Sequence, residues 1–122
     1  MTTTPVELSG WGNYPSQACA VFNPHQSQAL REAFSTGGQT SYIPRGLGRA
    51  YGDSAVNDHA GVVLQTAFNR MLAFDETTGI LECEAGVSFA EIIDCFLPRG
   101  WFLPTTPGTK FVTVGGAIAA DV

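Results

Sequence analysis

Ten residues, Pro44-Arg45-Gly46-Leu47-Gly48-Arg49-Ala50-Tyr51-Gly52-Asp53, restrict what this chain can build more than any other stretch. Glycines at 46, 48 and 52 disfavour a helix or a central strand and let the backbone reach positive φ. The stretch therefore reads as a loop with bare, closely spaced amide N–H groups. Consecutive N–H groups in such a turn form a concave anion site. Arg45 and Arg49, two of only six Lys plus Arg in the chain, add charge-assisted donors suited to phosphate oxygens. The combination reads as a pyrophosphate cradle.

Length and composition narrow the frame. At 122 residues the chain is one small domain, or a piece of a larger one, spanning 1–122. Charged residues are 14% of it, against about 25% in an ordinary soluble domain, so part of the surface is expected to be covered by ligand or by more protein. A formal charge of -5 argues against a nucleic-acid partner, which needs a basic face. No apolar run approaches the ~20 residues of a membrane helix. The start, Met1 to Glu7, lacks the basic end and apolar core of a signal peptide, which points to the cytoplasm. Cys19, Cys83 and Cys95, odd in number and widely spaced, read as small core residues in a reducing compartment. No metal cluster, acid–base pair or nucleophile triad stands out, and His25 and His59 sit in polar, exposed contexts. The run Val112 to Val122 stays apolar without a polar tail, so the chain reads as a piece whose catalytic portion lies elsewhere, prone to self-association.

The periodicities predict mixed α and β elements. Asn23-Pro24 reads as a helix start, with Ala29, Leu30, Ala33 and Phe34 on one face and Gly37-Gly38 as the stop. Thr40 to Ile43 reads as a strand feeding the glycine loop, and Gly61 to Gln65 as a buried strand. Met71 to Asp75 and Ile80 to Ala85 flank a turn at Glu76 to Gly79. Ser88 and Glu91 form a capping box for a helix carrying Ile92, Ile93, Phe96 and Leu97 and ending near Pro98 to Gly100. Trp101-Phe102-Leu103 reads as a short strand or extended segment, and Trp11 and Trp101 as packing residues.

A second glycine site follows. Pro104-Thr105-Thr106-Pro107-Gly108-Thr109 leads to a helix start with Thr113 as N-cap and Val114, Gly115 and Gly116 in its first turn, where free N–H groups are expected. Neither loop is a Walker A or G-x-G-x-x-G match. From the residues alone, the first loop is also compatible with a long surface turn bearing solvated arginines. Gly115-Gly116 is likewise compatible with plain helix–strand packing, and Asp53 with a turn role.

Ser9-Gly10-Trp11-Gly12, the stretch Arg45 to Asp53, and Pro107-Gly108-Thr109 followed by Val112 to Ala119 together resemble the FAD-binding domain of the vanillyl-alcohol-oxidase superfamily, the PCMH-type fold. The resemblance covers nearly the whole chain and is nearest to the decaprenylphosphoryl-ribose oxidase group. It implies an α+β fold with a small parallel or mixed sheet flanked by helices, plus the start of a second subdomain. It also implies that Arg45, Gly46, Leu47, Gly48, Arg49, Ala50, Tyr51, Gly52 and Asp53, with Gly108, Thr109, Thr113, Val114, Gly115 and Gly116, line FAD. Many members carry Gly-His-Ser where this chain has Gly48-Arg49-Ala50, so a covalent histidyl link is not expected there and FAD should dissociate. The intact protein is then expected to move hydride from a secondary alcohol carbon of a sugar or lipid-linked sugar to the flavin, and association with a membrane surface is compatible with a lipid-linked substrate. An aldonolactone or sugar-alcohol oxidase is the alternative on the same scaffold. The catalytic segment of the family would begin just past Val122, so the catalytic residues are unknown. A nucleotide-binding module without activity of its own, or a structural domain without ligand, are the readings from other classes.

Overall fold

The structure, a computed structural model, describes residues 4–122; Met1 to Thr3, part of the stretch read above for a targeting signal, lie outside them. A four-stranded sheet forms from β1 (Pro5–Leu8), β2 (Gln17–Phe22), β3 (Tyr42–Arg45) and β4 (Gly61–Leu64). Its order is β1-β2-β4-β3, with β1 antiparallel to β2 and the other neighbours parallel. Strand β4 sits inside and alternates between the two faces. Val62 packs with Cys19 and Val56 on one side, and Val63 packs with Phe22 and Ala33 on the other. Burial on both faces is what makes Gly61 to Leu64 a near-continuous apolar run.

Helix α1 (Ser27–Thr36) covers the Val63 face through Ala33 and Leu30. It starts later than Asn23-Pro24 suggests. Pro24 is buried and residues 23–26 carry the chain out of β2, so Gln26 becomes an N-cap with no side-chain bond. Phe34 stays half exposed and meets Tyr42 edge-on at 5.2 Å. Strand β3 is also displaced, by two residues, and includes Pro44. Proline lacks a ladder donor, and β3 tolerates it because it is the sheet edge. The displacement leads the strand straight into the glycine loop.

A second unit follows. Strands β5 (Met71–Asp75) and β6 (Ile80–Cys83) form the expected hairpin. Asp75 Oδ1 accepts from the amides of Thr77 and Thr78 at 2.8 and 3.2 Å. Helix α2 (Phe89–Phe96) carries the capping box: Glu91 N donates to Ser88 Oγ at 3.1 Å and the Glu91 carboxylate accepts from Ser88 N. A 3-10 turn over Leu97–Arg99 and left-handed Gly100 end it. Helix α3 (Val114–Ala119) closes the unit. Val87, Phe89, Ile92, Phe96 and Ala117 form its core, with Trp101 packed on Phe74. Trp101 to Leu103 run without strand pairing, and Cys95 lies exposed on α2 rather than in a core, as does Leu97 just beyond it. No helix among the described residues is long and apolar enough to cross a membrane, and no three metal-ligating side chains converge.

Replacing Ser88 by alanine removes one half of the capping box and is expected to cost about 1 kcal/mol, lowering Tm by about 4 °C in a thermal melt. Two carboxylates set an acid limit. Backbone donors from Thr77 and Thr78 hold Asp75 below its ordinary 3.8, and Arg70 holds Glu84 below its ordinary 4.5. Depressed values stabilise the fold above the unfolded pKa and lose that contribution as pH falls through the folded one. Urea midpoints should therefore decline below about pH 4.5, and an Asp75→Asn/Glu84→Gln double variant should flatten that decline.

Candidate cofactor groove

The two glycine loops, some sixty residues apart in sequence, come together as opposite walls of one groove of about 830 Å³. Residues 44–51 form one wall, and Pro107, Gly108, Thr109, Val112, Thr113 and Gly116 belong to the other. Of the residues singled out from sequence, Arg45, Gly46, Leu47, Gly48, Arg49, Ala50, Tyr51, Gly108, Thr109, Thr113 and Gly116 line it. Gly52, Asp53, Val114 and Gly115 do not, and Gly52 and Asp53 are exposed to solvent instead.

The first wall presents a run of backbone donors without protein partners. Among the described residues, the amide N–H groups of Gly46 through Tyr51 meet no protein acceptor. Backbone donors are obligatory hydrogen-bonding groups, so this run is available to water or ligand. Gly48 and Gly52 have φ of 71° and 63°. Arg45, half-buried, passes under the loop: Nη1 donates to the Ala55 carbonyl at 2.8 Å, and the guanidinium fills the space a side chain at Gly48 would need. Burial, with Arg49 as a neighbouring like charge, pulls the Arg45 guanidinium below its ordinary value. It stays charged, as arginine does in proteins. Arg49 Nη1 donates to Leu47 O at 2.7 Å. Both arginines thus brace loop carbonyls as well as carrying charge. Among the described residues, the lining contains these two cationic side chains and no Asp or Glu, in a chain whose net charge is -5.

The second wall differs from the sequence expectation. Thr113 is the N-cap of α3, its Oγ1 accepting from Gly116 N at 3.1 Å. The amides of Val114 and Gly115, however, are not free. They donate to Val87 O at 2.8 Å and Ala85 O at 2.9 Å. The physical cause is mutual docking of two helix ends. Phe89 N and Ala90 N at the start of α2 donate to Val112 O and Lys110 O, while Ser88 and Thr113 pair in an antiparallel bridge. Close packing also explains Gly115, where a Cβ would stand 3.2 Å from the Ala85 Cβ. The free backbone donors at the groove therefore lie on the first loop, not at the start of α3.

The two walls touch. A Cβ at Gly46 would stand 2.5 Å from Thr113 Oγ1. The Ser9-Gly10-Trp11-Gly12 stretch backs the first wall, with Trp11 N donating to Ala50 O at 3.0 Å. A Cβ at Gly10 would strike that same carbonyl. Trp11 itself is not a packing residue: it is 63% exposed, lines the groove and meets Tyr51 edge-on at 5.4 Å. Its position becomes predictable only once the loop it braces is known. Asp53 is exposed and its carbonyl accepts from Val56 N in a turn.

Three glycine substitutions separate these effects. Gly52→Ala carries only the left-handed backbone cost, about 1–2 kcal/mol, because nothing lies within 4 Å. Gly48→Ala adds a collision with Arg45 and should lower Tm further. Gly46→Ala presses on Thr113 and should loosen the α3 cap without backbone strain. Thermal melts of the three variants, expected in the order Gly48 worse than Gly52 and with Gly46→Ala sensitising to Thr113→Val, check the assignment.

A protein family described as an FAD binding domain matches residues 18–122. The chain is 38% identical over 98% of its length to decaprenylphosphoryl-beta-D-ribose oxidase of Mycolicibacterium smegmatis. It is 25% identical over 84% to a D-lactate dehydrogenase of Anaerostipes hadrus. It spans only about a quarter of either relative, 27% and 24%. Among solved structures, cholesterol oxidase from Brevibacterium sterolicum superposes with a TM-score of 0.74 at 17% identity, over 95% of this chain and 23% of that one. Alkyldihydroxyacetonephosphate synthase superposes at 0.66 and 20% identity, over 84% of this chain and 21% of that one. These two likenesses concern the fold alone, a mixed α/β architecture. The chain belongs to the FAD binding domain family of flavoprotein oxidoreductases.

Proposed function

We propose that this chain holds FAD without a covalent link for an enzyme that oxidises a secondary alcohol of a sugar or polyprenyl-phospho-sugar. The observation that carries the cofactor site is the convergence of both glycine loops on one groove lined by two arginines and no acidic side chain. A volume of about 830 Å³ suits a large nucleotide, since ligand pockets run from about 300 to 1,000 Å³. The free amides of Gly46 to Tyr51 fit a pyrophosphate, and the charges of Arg45 and Arg49 favour it further. Gly108, Thr109, Thr113 and Gly116 face it across the groove. Gly52, Asp53, Val114 and Gly115 then contribute by holding the walls. Bound FAD supplies the two-electron acceptor, while the protein contributes binding, orientation and electrostatics. Gly48-Arg49-Ala50 offers no histidine for covalent attachment in this loop.

The substrate class rests on the 38% identity to an enzyme named for decaprenylphosphoryl ribose. The second relative is named for D-lactate. Both molecules present a secondary hydroxyl, which is the common chemistry.

Calorimetric titration with FAD tests the groove. Saturable binding is expected, weakened about tenfold or more when Arg45 and Arg49 are both replaced by alanine. Denaturation and ultrafiltration of the loaded protein should release the yellow chromophore into the filtrate. Failure of the whole protein to bind FAD, or retention of flavin on the denatured chain, overturns the corresponding part of the proposal. Turnover of a polyprenyl-phosphoribose but not of an aldonolactone by the whole protein distinguishes the two sugar readings.

A further inference from the structure

A four-residue strap, Glu84 to Val87, lies outside the groove yet receives one of its walls. Its carbonyls at Ala85 and Val87 accept the amides of Gly115 and Val114 at 2.9 and 2.8 Å. The other side of the strap is tied to the root of the first loop. Gly86 N donates to Phe68 O at 2.8 Å, Phe68 N donates to Gln65 O at 2.9 Å, and Gln65 N donates to Arg45 O at 2.9 Å. Gly86 has no room for a side chain here, since a Cβ would stand 2.5 Å from Phe68 O. The strap thus connects both walls through backbone bonds.

One side-chain interaction fixes its entry. Glu84 Oε1 accepts from Arg70 N at 2.9 Å and Arg70 Nε at 2.7 Å, and Oε2 accepts from Arg70 Nη2 at 3.0 Å. Glu84 N returns a bond to Arg70 O at 2.9 Å. The Glu84 side chain is 17% exposed, whereas Arg70 is 68% exposed. Exposed ion pairs contribute little stability as a class. This one acts through geometry: four bonds between two residues leave Glu84, the first residue of the strap, a single register relative to Arg70.

We propose that Arg70 and Glu84 are positioning residues for the cofactor groove, setting the separation of the Thr113 to Gly116 wall from the Gly46 to Tyr51 loop by fixing the strap beneath α3. The identity of the groove's ligand rests on the function proposed above; the mechanical role of the pair does not.

The test compares Glu84→Ala, the conservative Glu84→Gln, and Leu30→Ala in the whole protein. Leu30 packs on the α1 face of the sheet, away from the strap, and controls for general destabilisation. Two readouts are taken well below each Tm: amide hydrogen exchange at Val114 and Gly115, and FAD affinity. Glu84→Ala should speed exchange at those two amides and weaken FAD binding by about tenfold each, with Glu84→Gln intermediate and Leu30→Ala unchanged in both. Exchange at Val114 and Gly115 rising no more in Glu84→Ala than in Leu30→Ala overturns the proposal, as does unchanged FAD affinity in a protein that binds FAD. If the wild type takes no FAD while Glu84→Ala still frees the two amides, the positioning role stands and the cofactor reading falls.

Discussion

A single buried threonine holds the groove together. Thr113 caps α3 through its hydroxyl, pairs with Ser88 across the two helix starts, and abuts Gly46 of the opposite wall. Each contact constrains the others. The cap fixes the rotamer, the bridge fixes the backbone, and the bare face of Gly46 lets the first loop close on both. Buried polar groups are tolerated when hydrogen-bonded, and Thr113, 4% exposed, meets that condition through Gly116 N. The β-sheet and the helical unit therefore meet at a polar contact, not at a shared apolar core.

Around that junction the charge distribution is lopsided. The chain is acidic overall, but its groove carries arginines and unpaired amides. A concave, locally positive surface on an anionic protein focuses the field where an anionic ligand would sit. Arg45 shows how the two demands are combined. Its stem and one N–H support the loop, so the charge is held in place without a carboxylate partner that would compete with a phosphate.

What the sequence made readable follows from the range of the forces involved. The hairpin turn at Asp75 to Gly79, the Ser88–Glu91 box and the Thr113 cap are closed within a few residues, and each was legible. Strands β1 and β2 were not: Gln17 to Phe22 is a short run with three small residues at its centre, whose strand state depends on β4, some forty positions away. Pro44 hid the true extent of β3, because edge position is a property of the sheet and not of the residue. The second loop was located correctly but its amides were misjudged. A helix start looks free in sequence, and only the tertiary docking of residues 85–87 shows that Val114 and Gly115 are engaged. Trp11 escaped for the same reason, being placed by a contact with Ala50 some forty residues ahead.

The connection between β3 and β4 has a further meaning. Parallel neighbours need a crossover of about a dozen residues or more, and a helix usually supplies it. Here residues 46–60 do so with turns alone, and the strand they deliver is inserted between β2 and β3 as one of the two inner strands of the sheet. The glycine loop that walls the groove is thus also the seam by which the sheet is closed. A ligand that binds only the closed state adds RT ln(1 + [L]/Kd) to its stability, about 2.7 kcal/mol at a hundredfold excess over Kd. If the groove takes the cofactor proposed for it, cofactor supply would also act as a folding variable, because the same residues that line the groove deliver β4 into the sheet.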